Sequence, residues 1–408
     1  TVGNGGEIAM NREFGVCNNS VLTISNGGVL RVDTFHDAFS DVYSSATIIF
    51  KGSKLNLEPG SIVRVKNKCK LIIEEGAELI YENGAQIQLD GPDAVLEIKG
   101  KLTIGDNATF SITSGPNGRG YVKLNIADDR VCIRGGVNAK FVLTGTNQNN
   151  DKILEITQHN PITHAGLEEV LLQNGKVEMG LWATFTISGK CSLNQVLVTG
   201  TQPLRAEPNW NTAGNDEKWR FWNDRHKGIT VIGRTDNFIQ HCRFENGYNG
   251  LVVFNNAGNQ TTLIKNNEFA NNLNGLTVNF KFALIRDNTF FNNNTAITLT
   301  GVDAGSSITD NTITRCGYRA IDVIGTTSVK IGLNVISSVQ DGITNTGANL
   351  ELKCNTLRCE SSFKNPYAGV SENLGSITMG GGYCGNNLIE DFGIAVYTDK
   401  ENQLNLYN

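Results

Sequence analysis

The chain has 408 residues, with 35 Lys and Arg against 40 Asp and Glu and a formal net charge of −5. That balance, with no long run of Lys or Arg, argues against nucleic acid or an anionic membrane surface as the main partner. No stretch approaches 18 uncharged apolar residues, so no helical membrane span is expected. Length alone allows two domains, but 45 Gly favour a fold with many turns, and a solenoid lengthens without a second core.

Residues 1–50 are the least regular. VLTIS and VLRVD, within 21–33, read as two strands. Phe35, Ala38, Phe39 and Val42 fall at helical spacing and predict a short capping helix, a cover for an open solenoid end. The expected division is a cap with first strands at 1–50 and a repeating body at 51–408. From Leu55 to Ile112 alternating apolar pairs recur at Leu55/Leu57, Val63/Val65, Leu71/Ile73, Leu79/Tyr81, Ile87/Leu89, Leu96/Ile98, Leu102/Ile104 and Phe110/Ile112, with a polar residue between the members of all but the Leu71/Ile73 and Leu79/Tyr81 pairs. Gly or Asn separates the pairs about every eight residues, so three strands make a coil of about 24. Residues 113–190 carry further short strand patterns, and CSLNQVLVTG (191–200) is a clear coil line.

An interruption follows at 201–227. It holds three of the four Trp, Trp210, Trp219 and Trp222, with Arg205, Arg220, Asp224, Arg225 and His226. Flat indole faces beside Arg and a carboxylate suit a sugar, whose C–H face stacks and whose hydroxyls take charged partners. Packing of the loop onto the solenoid wall is the structural alternative. A second insertion, 360–373, carries Phe363 and Tyr367.

Beyond 227 one line recurs: FIQHCRF, LIKNNEF, LIRDNTF, SITDNTI, KIGLNVI, ELKCNTL and YCGNNLI. Its fifth position is Cys242, Asn267, Asn288, Asn311, Asn334, Asn355 and Asn387, and its last is large and apolar, from Phe244 to Ile389. A period near 22 without helical spacing predicts stacked parallel strands about 4.8 Å apart. The Asn column is expected to sit at a bend, where Asn tolerates unusual backbone angles, and to bond coil to coil as a ladder. Asn292, outside the column, is expected to tolerate replacement.

The repeated N-x-[FI]…G-[IL]-x-V pattern resembles right-handed parallel β-helix proteins of the pectate-lyase and NosD-like type. The resemblance implies an all-β, right-handed, single-stranded parallel β-helix over at least 228–400. It leaves activity open, because that fold carries lyases, hydrolases, adhesins and stalks. The earlier coils resemble those of β-helix proteins secreted by Bacteroidota. That likeness implies an extracellular or cell-surface protein handled by bacterial secretion machinery of type IX. The start at Thr1 without a visible signal peptide fits either a processed secreted protein or a trimmed piece of a longer chain.

Enzymes of this type use a Lys or Arg base with calcium-holding carboxylates, or paired Asp in NTD, DD and GHG motifs. Here the adjacent aspartate pair is Asp128–Asp129, and NTD and GHG are absent. Asp287, Asp310 and Asp322 are candidates for a weak calcium column or, as plain exterior side chains, for none; no other cofactor is expected. His159 and His164 match no metal spacing. Of the nine Cys, Cys242 and Cys384 occupy ladder positions as small apolar residues, and Cys354 with Cys359 is a candidate local disulfide. The reading that emerges is a secreted or surface β-helix module, non-catalytic, that binds glycan or a cell-surface protein through 201–227. The alternatives are a polysaccharide lyase or hydrolase, and a structural stalk.

Overall fold

The computed structural model describes all residues except 4, 11, 18, 26, 38–41, 127–131, 158, 160, 202–224, 234–235, 256–260, 280–281, 303, 326–327, 360–366, 381–386, 399–403 and 407–408. The described residues form strands, turns and bends, and no helix among them is long and apolar enough to cross a membrane. The chain divides into two compact units, Thr1–Ser192 and Leu193–Asn408.

Unit 1 is a parallel β-solenoid whose strands stack in three rows. One row runs Val21–Ile24, Lys54–Leu57, Glu78–Tyr81, Lys101–Ile104, Ile133–Gly135 and His164–Ala165. Its register sets Leu55 on Leu79 and Leu79 on Leu102, which are steps of 24 and 23 residues. All sixteen residues of the alternating pairs between Leu55 and Ile112 are buried, because alternation sends every second side chain into the coil. The polar residues between them face outward and pair across coils. Strands Glu7–Met10 and Phe14–Cys17 already join these rows, so coil structure begins well before residue 50. The expected capping helix is instead an antiparallel hairpin, Thr34–Asp37 with Val42–Ser45. Thr, Phe, Val and Tyr are strand formers, and that preference wins over a helical spacing only four apolar residues long.

On the first row, Glu78 is clasped by Lys54 at 3.0 Å and Lys101 at 2.9 Å, from the coils on either side, and accepts from Thr103 Oγ1 at 2.6 Å. Burial opposes its ionisation, but these donors outweigh burial and hold Glu78 down at about 2. A carboxyl that ionises more readily in the folded chain contributes stability above its unfolded value and loses it as pH falls toward the folded one. Glu78→Gln is therefore expected to be less stable than the parent at pH 6, with the difference fading between about pH 4.5 and about 2. Urea melts of both proteins across that range check this. A difference independent of pH would assign Glu78 to packing alone.

Unit 2 repeats the plan with shorter coils. Thr262–Lys265, Ala283–Arg286, Ser306–Thr309 and Ser328–Gly332 stack in one row, each followed by a three-residue row such as Glu268–Ala270 or Thr289–Phe291. The third row holds Gly228–Gly233, Asn249–Asn255, Asn274–Asn279, Thr295–Thr300 and the later parts of Thr312–Ile324 and Val335–Thr346. Phe244, Phe269 and Phe290 stack inside with ring centroids 5.1 and 4.7 Å apart.

The Asn ladder runs along the first bend. The backbone N–H and the side-chain amide of Asn267 both donate to Oδ1 of Asn288 at 3.0 Å, and Asn288, Asn311, Asn334 and Asn355 repeat this toward Asn387. Each amide also donates to a carbonyl of the preceding coil, as Asn311 does to Ile285 O at 3.0 Å. The unusual backbone angle, however, belongs to the residue before each ladder Asn. His241, Asn266, Asp287, Asp310, Leu333 and Cys354 have φ of 54–57°. The expectation that the ladder Asn itself takes the strained angle is thus corrected, and its side chain is retained for hydrogen bonding alone.

A second, shorter column escaped the sequence reading. Asn272 donates from backbone and side chain to Oδ1 of Asn293, and accepts from Gly247 N–H at 2.9 Å. It marks the second bend, five residues after the ladder, where Asn246, Asn271, Asn292, Arg315 and Ser338 hold φ of 53–65°. The signal was present as the runs NNLNG and NNNTA.

Candidate functional site

The second bend of unit 2, leading into the third row, is the corner where side-chain chemistry concentrates. Both insertions leave the coil there. Loop 201–227 follows strand Lys190–Gly200 and returns at Gly228–Gly233, while 360–366 separates Thr356–Arg358 from Ala368–Glu372. Trp210, Trp219, Trp222, Arg205, Arg220, Asp224 and Phe363 lie outside the described residues. The two feet of the first loop are described. Thr199 Oγ1 donates to Glu245 Oε1 at 3.0 Å, and Asn246 Nδ2 reaches Thr199 Oγ1 at 3.5 Å. On the returning side Arg225 is 5% exposed and its guanidinium donates to Asn271 O. That places Arg225 inside the corner as an anchor, where its sequence reading had it facing a ligand. His226 is buried beside it, with Nε2 3.0 Å from Glu245 O, and burial pushes its imidazole down to about 4.

Four coils beyond that anchor in the register of the third row, roughly 19 Å at about 4.8 Å per coil, the corner carries Tyr318 and Arg319. The Arg319 guanidinium lies 4.4 Å from the Tyr318 ring centre and donates to Asp322 Oδ2 at 2.9 Å. Thr344 Oγ1, one coil on, donates to Asp322 Oδ1 at 2.5 Å. Asp322 is thus buried and paired, which corrects its reading as a solvated exterior residue. The register sets Asp341 against Arg319, and the Ala368 N–H bonds the Asp341 carboxyl from the next coil. Burial is the main force raising the Asp341 carboxyl above the usual carboxylate range; Asp322 adds to it, and Arg319 and the Ala368 N–H oppose it. Among the described residues Asp341 Oδ1 and Arg319 Nε have no hydrogen-bond partner although both are buried.

Exposed rings flank this cluster. Tyr318 is 40% and Tyr367 49% exposed, and Tyr367 is tilted against Tyr397 at 6.0 Å. Tyr367 is the first described residue after 360–366, and its N–H bonds Gln340 O, which places Tyr367 on the corner of Tyr318. The site therefore comprises, among the described residues, an Arg, two carboxyls and three rings.

Asp287 and Asp310 sit at the first bend, away from Asp322, and among the described residues no group of three or more His, Cys, Asp and Glu is placed to share a cation. Asp128 and Asp129 lie outside the described residues. Cys354 is disulfide-bonded, but Cys359 keeps its thiol, with Sγ 3.5 Å from Val339 O, so the local Cys354–Cys359 bridge does not form. Cys242 fills its ladder place as a buried thiol pushed up to about 12, and its N–H donates to Asn267 Oδ1. Cys384 lies outside the described residues.

Residues 214–339 match a family model described as a right handed beta helix region. The fold is a right-handed parallel β-helix. No curated protein matches the chain. Among solved structures it is similar to a double mutant of the periplasmic alginate epimerase AlgG, at 12% identity over 84% of this chain and 77% of that one, with a TM-score of 0.34. It is also similar to tailspike protein 3 of bacteriophage CBA120, at 12% identity over 85% and 55%, with a TM-score of 0.36. At such identity the likeness is one of fold alone.

Proposed function

We propose that the chain is a secreted or cell-surface glycan-binding β-helix, and that the glycan lies along the second-bend corner of unit 2. The observation that carries this reading is the exposure of Tyr318 and Tyr367, two coils apart, beside Arg319 and Asp341. Rings spaced by about 10 Å along the axis offer stacking faces to successive sugars. The half-buried Arg319 and the neighbouring carboxyl groups supply directed hydrogen bonds to hydroxyls. Loop 201–227, whose described ends lie on the same corner, carries Trp210, Trp219 and Trp222 with Arg220 and Asp224, residue types suited to sugar recognition.

Tyr318→Ala and Tyr367→Ala are each expected to weaken glycan binding by about 1–2 kcal/mol, a factor of roughly 5–30, with the melting temperature unchanged. A glycan array followed by titration calorimetry on the full chain checks this. Lowered melting temperatures with unaltered glycan affinity would assign both rings to packing and leave a stalk.

A second reading, polysaccharide cleavage, is favoured by one observation. Burial raises the Asp341 carboxyl, whereas the neighbouring Asp322 is salt-bridged to Arg319, and acid–base catalysis uses two carboxyls in such different surroundings. Under it Asp341→Asn abolishes release of new chain ends while retaining glycan affinity. Absence of turnover in the parent on every glycan it binds removes this reading and leaves the first.

A further inference from the structure

Unit 1 holds a cavity of about 590 Å³ on the outer side of its first row of strands. Its floor is bare backbone, with Gly52, Gly76 and Gly100 in successive coils. A Cβ built on Gly52 or Gly76 meets nothing within 4 Å, so the space above them is open. At Gly100 a Cβ would strike Ala77 O at 2.3 Å and Glu74 O at 2.4 Å, so nothing larger fits the floor there. The coil lengthens from 23 residues, Leu79 to Leu102, to 31, Leu102 to Ile133, and in this longer coil Ile126 and Cys132 join the wall.

The rim is charged. Lys54, Lys99, Lys101 and Arg134 line it against Glu75 and Glu78. Lys99 is occupied by Glu74 at 2.8 Å, and Glu78 holds Lys54 and Lys101 in place while cancelling one of their two charges. Arg134 is exposed and makes no ion pair among the described residues. A cavity of this volume suits a small ligand, and a glycine floor admits a flat ring closely because no side chain stands in the way. Among the described residues the lining holds no aromatic side chain on which a nucleobase would stack.

We propose that this cavity binds a short anionic oligosaccharide. Its rings lie over Gly52 and Gly76, and its carboxylate or sulfate meets Arg134 and the Lys54–Lys101 pair. The site draws on residues of unit 1 alone and does not depend on the corner of unit 2.

The test is titration calorimetry on the full chain with four probes: a sulfated, a uronate-bearing and a neutral oligosaccharide of equal length, and inorganic sulfate. At least one anionic oligosaccharide is expected to bind ten times or more tightly than the neutral one. Arg134→Gln is expected to weaken it about tenfold, the usual effect of one charge-assisted contact. Gly76→Asn fills the open floor with a residue that accepts left-handed backbone, and is expected to remove binding with little change in melting temperature. Tyr318→Ala is expected to change nothing here, which separates this site from the one in unit 2. Neutral and anionic probes binding alike, indifference to both unit 1 variants, inorganic sulfate binding as tightly as the sugars, or no binding by any probe would each overturn the proposal.

Discussion

Asn311→Leu is expected to destabilise unit 2 by about 3–5 kcal/mol, since one change leaves several buried groups unpaired at about 1–3 kcal/mol each. Asn311 Oδ1 accepts from both the N–H and the amide of Asn288, and its own amide donates to Asn334 Oδ1, Ile285 O and Thr309 O. Leu shares the branched skeleton of Asn but carries bulkier methyl groups, so some overpacking adds to the lost hydrogen bonds. Asn292 was expected to be a neutral control, but it is not one. It has φ of 53°, and its amide donates to Asn271 Oδ1 at 2.8 Å. Asn292→Leu is therefore expected to cost about 1–2 kcal/mol through backbone strain and one lost bond. Urea denaturation of both variants checks the ranking. A loss below about 1 kcal/mol at Asn311 would show that the ladder is not a source of stability.

Phe269→Ala is expected to cost about 3–5 kcal/mol, the range for emptying a buried aromatic site. Its ring is fully buried between those of Phe244 and Phe290, nearly parallel to both. A solenoid coil touches only its neighbours, so the two adjacent coils should loosen first. Hydrogen exchange should therefore rise at Arg243–Glu245 and Thr289–Phe291 before it rises elsewhere in unit 2. Uniform acceleration throughout unit 2 would point to one cooperative core in place of stacked coils.

Fold was legible where a period repeats. Alternation from Leu55 to Ile112 and the Asn column after Ile239 name interior positions directly, because each coil lays the same positions on the same row. The second column at Asn272 and Asn293 was less visible, since it lasts two coils before Cys316 takes its place. Phe35 to Val42 misled because four apolar residues fit a helix and a hairpin equally well. The corner site was hardest to read. Tyr318 and Arg319 come from one coil and Asp341 from the next, and only the register that sets Arg319 against Asp341 brings them together. A residue in 201–227 announces itself by composition, whereas Asp341 looks like any strand-end aspartate until burial raises its carboxyl.

The ladder also decides how such a chain changes length. Every ladder Asn presents the same acceptor to one neighbour and the same donors to the other, so any coil can stand in for any other. Removing residues 289–311 would join Asn288 to Thr312 and set its donors facing Asn334 Oδ1, as those of Asn311 do now. Phe269 would then lie over Ile313, an apolar residue of the same row. Removing half a coil would instead strand amides on both sides of the cut. Changes in length that keep the ladder are therefore quantised in whole turns, and other extra residues, such as 201–227 and those between Met379 and Asn387, fall at bends between rows, where they leave the register of the coils intact.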